Sequence, residues 1–266
     1  NSYNTAVGNS AGKAITTGIN NTLIGGLAGD ALTSPNNNVA VGSEALTADT
    51  LGTTSVAIGR STLKTQNFTT STSTYNTAVG YTAGLSITTG VKNTLIGGLV
   101  GDALTDADLN TAVGYFALSA DTLGSRSTAI GTGALKVQNF TTATDTYNTA
   151  VGFEAGVAVT TGVENTLIGG FSGDALTSGQ QNVALGAYAL TSDTLGSKST
   201  ALGRLALADQ NFTTATDAYN VAVGFAAGGD ITTGNQTTIV GALAGDALTV
   251  GGTNVAVGYL ALSADT

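Results

Sequence analysis

The chain has 266 residues, 42 % of them hydrophobic and only 9 % charged, and its 17 acids against 8 bases leave a formal charge of −9. That balance excludes a disordered polyelectrolyte, which lacks apolar residues, and a nucleic-acid binder, whose phosphates would meet net repulsion and no basic stripe. Histidine, cysteine, methionine and tryptophan are absent, which removes Ser-His-Asp, Cys-His and zinc chemistry.

From Asn4 onward a pentad of the type Asn4-Thr5-Ala6-Val7-Gly8 returns fifteen times. Its glycine recurs at Gly8, Gly25, Gly42 and Gly59, then at Gly80, and so on to Gly258. The steps run 17, 17, 17, 21 and repeat, so a 72-residue beat is superimposed, marked by Tyr3, Tyr75, Tyr147 and Tyr219. Self-similarity of this kind is read as a repeat array before anything else. The expectation is an all-β parallel solenoid, or β-roll, of about fifteen 17-residue coils with every fourth extended to 21. The modules are residues 4–75, 76–147 and 148–219, with a partial one at 220–266, in a single array. At about 4.8 Å per coil, such an array makes a rod of roughly 70 Å. No terminal coil resembles a polar cap, so the chain is expected to continue or to stack end to end on other subunits.

In each pentad the apolar residues follow period two and a glycine closes the run, which predicts a short strand and excludes a helix. Thr5 and Val7 then face one way and Ala6 the other, with Val39 and Val41, and Val56 and Ile58, repeating the first face. The valine–isoleucine face is assigned to the coil's own core. The opposite column, Ala6, Leu23, Ala40, Ala57, Leu95, Leu167 and Ile239, is apolar as well and is assigned to an interface with another chain. A homo-oligomer, with a trimer preferred, is the expectation. The glycines mark turns, and the asparagines that open most coils are expected to form side-chain turns and to stack on one another.

The second half of each coil is expected to hold another short strand, with turns at Thr17-Gly18, Ser34-Pro35 and Leu51-Gly52. The fourth coil carries four extra residues around Gln66-Asn67-Phe68-Thr69-Thr70, repeated at Gln138 and Gln210. This insertion is expected to bulge toward a neighbouring chain. Phe68, Phe140 and Phe212 with Tyr75, Tyr147 and Tyr219 are the candidate contacts for a glycan or receptor.

Two carboxylates suffice for a glycosidase, but Asp30, Asp102, Asp174 and Asp246, and Asp49, Asp121, Asp193 and Asp265, recur every module. An active site appears once, so turn formation is the better role and no enzyme is expected. Calcium is the alternative for Asp30, Asp49, Asp102, Asp121, Asp174 and Asp193, since carboxylates on neighbouring coils could share an ion; the calcium nonapeptide of secreted solenoids is missing. No other cofactor is expected. No run of 18 apolar residues predicts membrane insertion, and the lack of oxidisable sulfur suits an extracellular place.

Asn76-Thr77-Ala78-Val79-Gly80-Tyr81-Thr82-Ala83-Gly84, followed by Thr88-Thr89-Gly90, resembles the Asn-Thr-Ala-(Val/Ile)-Gly repeats of phage and bacterial fibre proteins. Ser55-Val56-Ala57-Ile58-Gly59 is similar to the head repeats of trimeric autotransporter adhesins. The resemblance covers all fifteen coils and implies a trimeric parallel β-roll with valine and isoleucine inside. It also implies a fibre or stalk on a cell surface or virion, with an adhesive or host-attachment role. The 17-residue step and the 21-residue fourth coil depart from the adhesin pattern, and no anchor or chaperone domain is present in these residues.

Overall fold

A computed structural model describes residues 2–264. The chain is a parallel β-solenoid of about fifteen turns, spaced by about 17 residues, and no helix occurs among the described residues. It divides into two compact units. The first runs to Ser127 and includes Asn139–Asp145; the second comprises Thr128–Gln138 and the chain from Thr146.

In the first unit three-residue strands run from Thr5–Val7 through Thr22–Ile24, Val39–Val41 and onward to Thr111–Val113, each paired in parallel with the next. In the second they run from Thr128–Ile130 to Val255–Val257 in the same way. Equivalent residues face each other without slip: Thr77 opposite Thr94, Ala78 opposite Leu95, Val79 opposite Ile96. Each strand ends on a glycine whose backbone is open only to glycine. At Gly97, φ is +142° and a Cβ would lie 2.5 Å from the carbonyl oxygen of Gly114.

The side-chain direction is the reverse of the one expected. The middle residue of each strand points into the coil, and the first and third point out. Leu23, Ala40, Ala57, Leu95, Leu167 and Ile239 are all fully buried in the core of their own chain. Ala6 is exposed in the first described strand but shares that column, opposite Leu23. None of the buried six can form an oligomer interface. The valines and isoleucines assigned to the core are the outward residues instead. The cause is width, because a coil this short has room for one central column and not for two β-branched ones.

That column is filled by exchange between positions. Leu23 spreads over two glycines, lying 2.6 Å from where a Cβ on Gly12 would be and 2.9 Å from one on Gly29. In the next two coils the strand centres shrink to Ala40 and Ala57, and the position of those glycines is taken by Leu46 and Leu63, both buried. Leu46 and Leu63 therefore sit at positive φ, 53° and 48°, where a leucine is strained and glycine is not. The volume is kept and the residue that supplies it changes.

Asparagines form the second internal ladder. Asn21 Nδ2 donates to the carbonyl of Pro35 at 2.9 Å, bracing its own coil, while its Oδ1 accepts the N–H of Asn38 at 3.0 Å. Asn38 repeats this with Gly52 and Ser55. The residue before each asparagine is left-handed, as at Asn20 (φ 59°), Tyr75 (51°) and Leu109 (61°). A second strand in every coil is not formed. Outside the pentads the strands among the described residues are short pairs at the insertions, Gly52–Thr53 with Thr72–Ser73, Gly124–Ser125 with Thr144–Asp145, and Gly196–Ser197 with Thr216–Asp217.

Candidate functional site

The insertion folds inward. Phe68, Phe140 and Phe212 are buried, with no more than 7 % of their surface exposed, so they cannot contact a glycan as expected from sequence. An aromatic ring in a polar stretch is here an apolar plug for the widened coil. Tyr75, Tyr147 and Tyr219 are about half exposed and remain available.

Beside each plug lies a buried polar layer. Seven residues after the pentad glycine, coils one and two hold Ile15 and Leu32, whereas coils three and four hold Asp49 and Gln66. Asp49 Oδ1 accepts the backbone N–H of Gly52 at 3.0 Å and of Phe68 at 3.1 Å. Its Oδ2 accepts Gln66 Nε2 at 2.6 Å. Gln66 also donates to Ser55 Oγ at 2.9 Å and accepts Asn76 Nδ2 at 2.9 Å. Gln66 thus bridges the asparagine ladder where Ser55 interrupts it. Asp193 and Gln210 repeat the arrangement with Gly196, Phe212, Ser199 and Asn220, and Asp121 accepts the N–H groups of Gly124 and Phe140. Burial pushes the Asp49 carboxyl above its ordinary value, against the opposing pull of the Gln66 amide and the Phe68 and Gly52 N–H groups.

These aspartates are committed to backbone and amide donors, which leaves them poor calcium ligands. The other series is dispersed. Asp30 pairs with Lys13 at 3.0 Å and accepts Thr47 Oγ1 at 2.9 Å. Asp174 accepts Thr191 Oγ1. Asp102 and Asp246 each keep one buried oxygen without a partner, and burial raises the Asp102 pKa. Asp265 lies outside the described residues. Among the described residues no three acids, histidines or cysteines gather where they could hold a metal, and no helix is long and apolar enough to cross a membrane.

Comparison with family models, with curated proteins and with solved structures returned no match. The surface of the chain itself therefore carries the functional argument.

Its continuous feature is the outward side of the strands. The first strand position is threonine or valine throughout, and the third is valine, isoleucine or leucine throughout, with no ionised side chain in either column. The third-position residues are partly or largely open to solvent, Ile96 at 41 % and Leu185 at 47 %. Along the flank just past the strands lie Tyr81, Tyr115, Phe153 and Phe225, each about half exposed. Phe171 stacks on Tyr188 with ring centroids 5.2 Å apart and meets Phe153 edge-on at the same distance. Cations join the rings at the step from a fourth coil to a first. Arg60 lies 5.8 Å from the Tyr81 ring, and Arg204 lies 5.8 Å from that of Phe225. On the opposite flank Lys198 lies 5.2 Å from the Tyr219 ring and donates to Asp217 at 2.6 Å. That pairing holds Asp217 below the usual carboxylate range and raises Lys198. Of these flanking groups the sequence had marked Tyr219 alone as a candidate contact, and the others were not singled out. The signal for them was position, since each follows a pentad glycine or precedes a pentad.

Proposed function

We propose that this chain is a structural, non-enzymatic segment of an extracellular fibre or stalk, in which copies lie side by side, as a trimer, with an adhesive or host-attachment role. The observation that carries the reading is the outward aliphatic column. A strand that is apolar on both faces is a strand to be buried on both, and exposed apolar surface continuous over many coils marks an interaction site. A stable interface takes about 800 Å² per partner, and a column repeated in every coil supplies area in proportion to its length. Stiffness follows from unbroken backbone ladders in which each coil contacts only its neighbours.

Sedimentation equilibrium at micromolar concentration tests it. The wild-type chain should form a small oligomer, and replacing Ile96 and Ile168 together by glutamate should return it to a monomer with an unchanged circular dichroism spectrum. A monomeric wild type would sink the reading. A side-on glycan or receptor contact stays open through Tyr75, Tyr147 and Tyr219, which are exposed. Their triple substitution by alanine should weaken attachment to cells or glycan arrays without altering the oligomer.

A further inference from the structure

The fourth coil of each module carries side chains that the fold leaves largely unused. Eight residues after the pentad glycine, the other three coils of a module place a threonine. These hydroxyls tie coil to coil: Thr16 donates to the Thr33 carbonyl at 3.2 Å, Thr88 to that of Thr105 at 3.2 Å, and Thr160 to that of Thr177 at 3.1 Å. Fourth coils place Asn67, Asn139 and Asn211 there instead. Asn67 Oδ1 accepts the Thr50 hydroxyl at 3.1 Å, although that hydroxyl already donates to the Phe68 carbonyl at 2.8 Å. Asn139 and Asn211 accept Thr122 and Thr194 in the same way. The Nδ2 of each of the three has no protein partner among the described residues.

Two residues on stands a threonine, Thr69, Thr141 or Thr213, so each asparagine opens an Asn-Phe-Thr sequon, the acceptor motif for N-linked sugar. The phenylalanine between them decides the geometry. With Phe68 turned inward as the plug, Asn67 and Thr69 both turn outward and are exposed. Asn139 and Thr141 are exposed likewise, and Asn211 is half-buried near an exposed Thr213. The chain holds two more sequons, and in neither do a free amide and a free hydroxyl lie together. Asn20-Asn21-Thr22 donates its first amide to Asn37 Oδ1 at 3.2 Å and begins at a left-handed corner. Asn235-Gln236-Thr237 buries its threonine, whose hydroxyl bonds Asn220.

We infer that Asn67, Asn139 and Asn211 are N-glycosylation sites, one in each complete module. The sugar arrives as a glycosyl diphosphate on a transferase that reads the sequon. The amide nitrogen bonds to the anomeric carbon, whose bond to the diphosphate oxygen breaks. The diphosphate leaves with the electron pair, and the amide loses one proton. A sugar on each insertion gives polar, solubilising bulk to a chain that is only 9 % charged, which suits the extracellular place proposed above. The inference goes beyond that proposal and stands without it, since a monomer carries the same sites.

The test incubates the folded chain with a soluble sequon-specific N-glycosyltransferase and uridine diphosphate glucose, with a sequon peptide accepted in the same tube. Peptide mass spectrometry reads the occupancy of each asparagine. Hexose should appear at Asn67 and Asn139 at least about tenfold faster than at Asn20 or Asn235, a ratio that a barrier difference of about 1.4 kcal/mol produces. Asn211 should follow more slowly than its two counterparts. Thr69→Ala, an exposed change, should abolish addition at Asn67 and leave Asn139 unaltered. A folded chain that takes no hexose overturns the inference. So do equal rates at every sequon, or addition at Asn67 that survives Thr69→Ala.

Discussion

Leu23 occupies the space that a side chain on Gly12 would need, its Cδ1 lying 2.6 Å from where that Cβ would be. The same exchange is made at Leu95, whose methyl groups lie 2.9 Å and 3.3 Å from a Cβ on Gly101. Leu95→Ala should destabilise by about 2–5 kcal/mol, the usual range for a buried leucine. Gly101→Ala should also destabilise. Its φ is 51°, a conformation costing roughly 1–2 kcal/mol for a residue with a Cβ, and the added methyl meets both Leu95 and Leu104. The double variant should cost less than the sum, because removing Leu95 makes room. Urea titrations of the four proteins check this, and full additivity would refute the exchange.

The buried layer makes an ordering prediction. Asp193 satisfies two buried N–H groups and one side-chain amide. Asp193→Ala leaves both backbone N–H groups unpaired and the Gln210 amide with Ser199 alone, and should cost on the order of 3–5 kcal/mol. Asp193→Asn keeps a carbonyl oxygen for the backbone donors but turns an amide toward the Gln210 amide, which cannot reverse without losing Asn220. It should destabilise as well, by less. Thermal melts in which the asparagine variant falls below the alanine variant would contradict this arrangement.

The strands, the glycine turns and the stacking of asparagines follow from the pentad directly, because period two and a conserved spacing of residues within the chain admit little else. Which face turns inward does not. A three-residue strand with apolar residues on both sides carries no direction, and the preference for β-branched residues in cores points the wrong way. The deciding signal lies outside the strand, in the alternation of Gly12 and Gly29 with Leu46 and Leu63, which makes sense only if Leu23 shares their space. Phe68 was hidden for a related reason. Its neighbours Gln66 and Asn67 are polar, and only the alignment of Gln66 with Leu32, at equal distance from their glycines, marks the stretch as interior.

The stability of the chain should rise on mild acidification. Asp49 and Asp102 have carboxyl groups raised above the ordinary 3.8 by burial. A raised carboxyl adds stability that is complete below the unfolded value and is lost as pH climbs through the folded one. Glu44, held down by Lys64 and Ser61, and Asp217, held down by Lys198, act the opposite way. Their contribution is present above the ordinary values and is lost as pH falls through the depressed ones. From neutrality down to the ordinary carboxylate range only the first pair acts, and easing of the −9 net charge works in the same direction. The melting temperature should rise as the pH falls from neutrality toward the ordinary carboxylate range, and Asp102→Asn should raise the pH 7 value and flatten the slope. A melting temperature that falls steadily below pH 7 would contradict the assignment.

The corner before each asparagine offers the last test, because it is left-handed whatever residue it holds. Asn20 and Asn37 occupy it at φ 59° and 60°, while Leu109 occupies the equivalent corner at 61° and is 40 % exposed. Asparagine tolerates this conformation and leucine does not, the difference being a share of the roughly 1–2 kcal/mol that a left-handed backbone costs. Little packing is lost on replacing an exposed leucine, so Leu109→Asn should stabilise by about 0.5–1 kcal/mol. Gln181→Asn, at φ 59° in the same corner, should give a similar gain. The reverse change, Asn37→Leu, should lose as much and also remove the acceptor for the Asn20 amide at 3.2 Å. Urea midpoints that shift oppositely for Leu109→Asn and Asn37→Leu, at constant m, would establish that the corner and not the side-chain contact sets the sign.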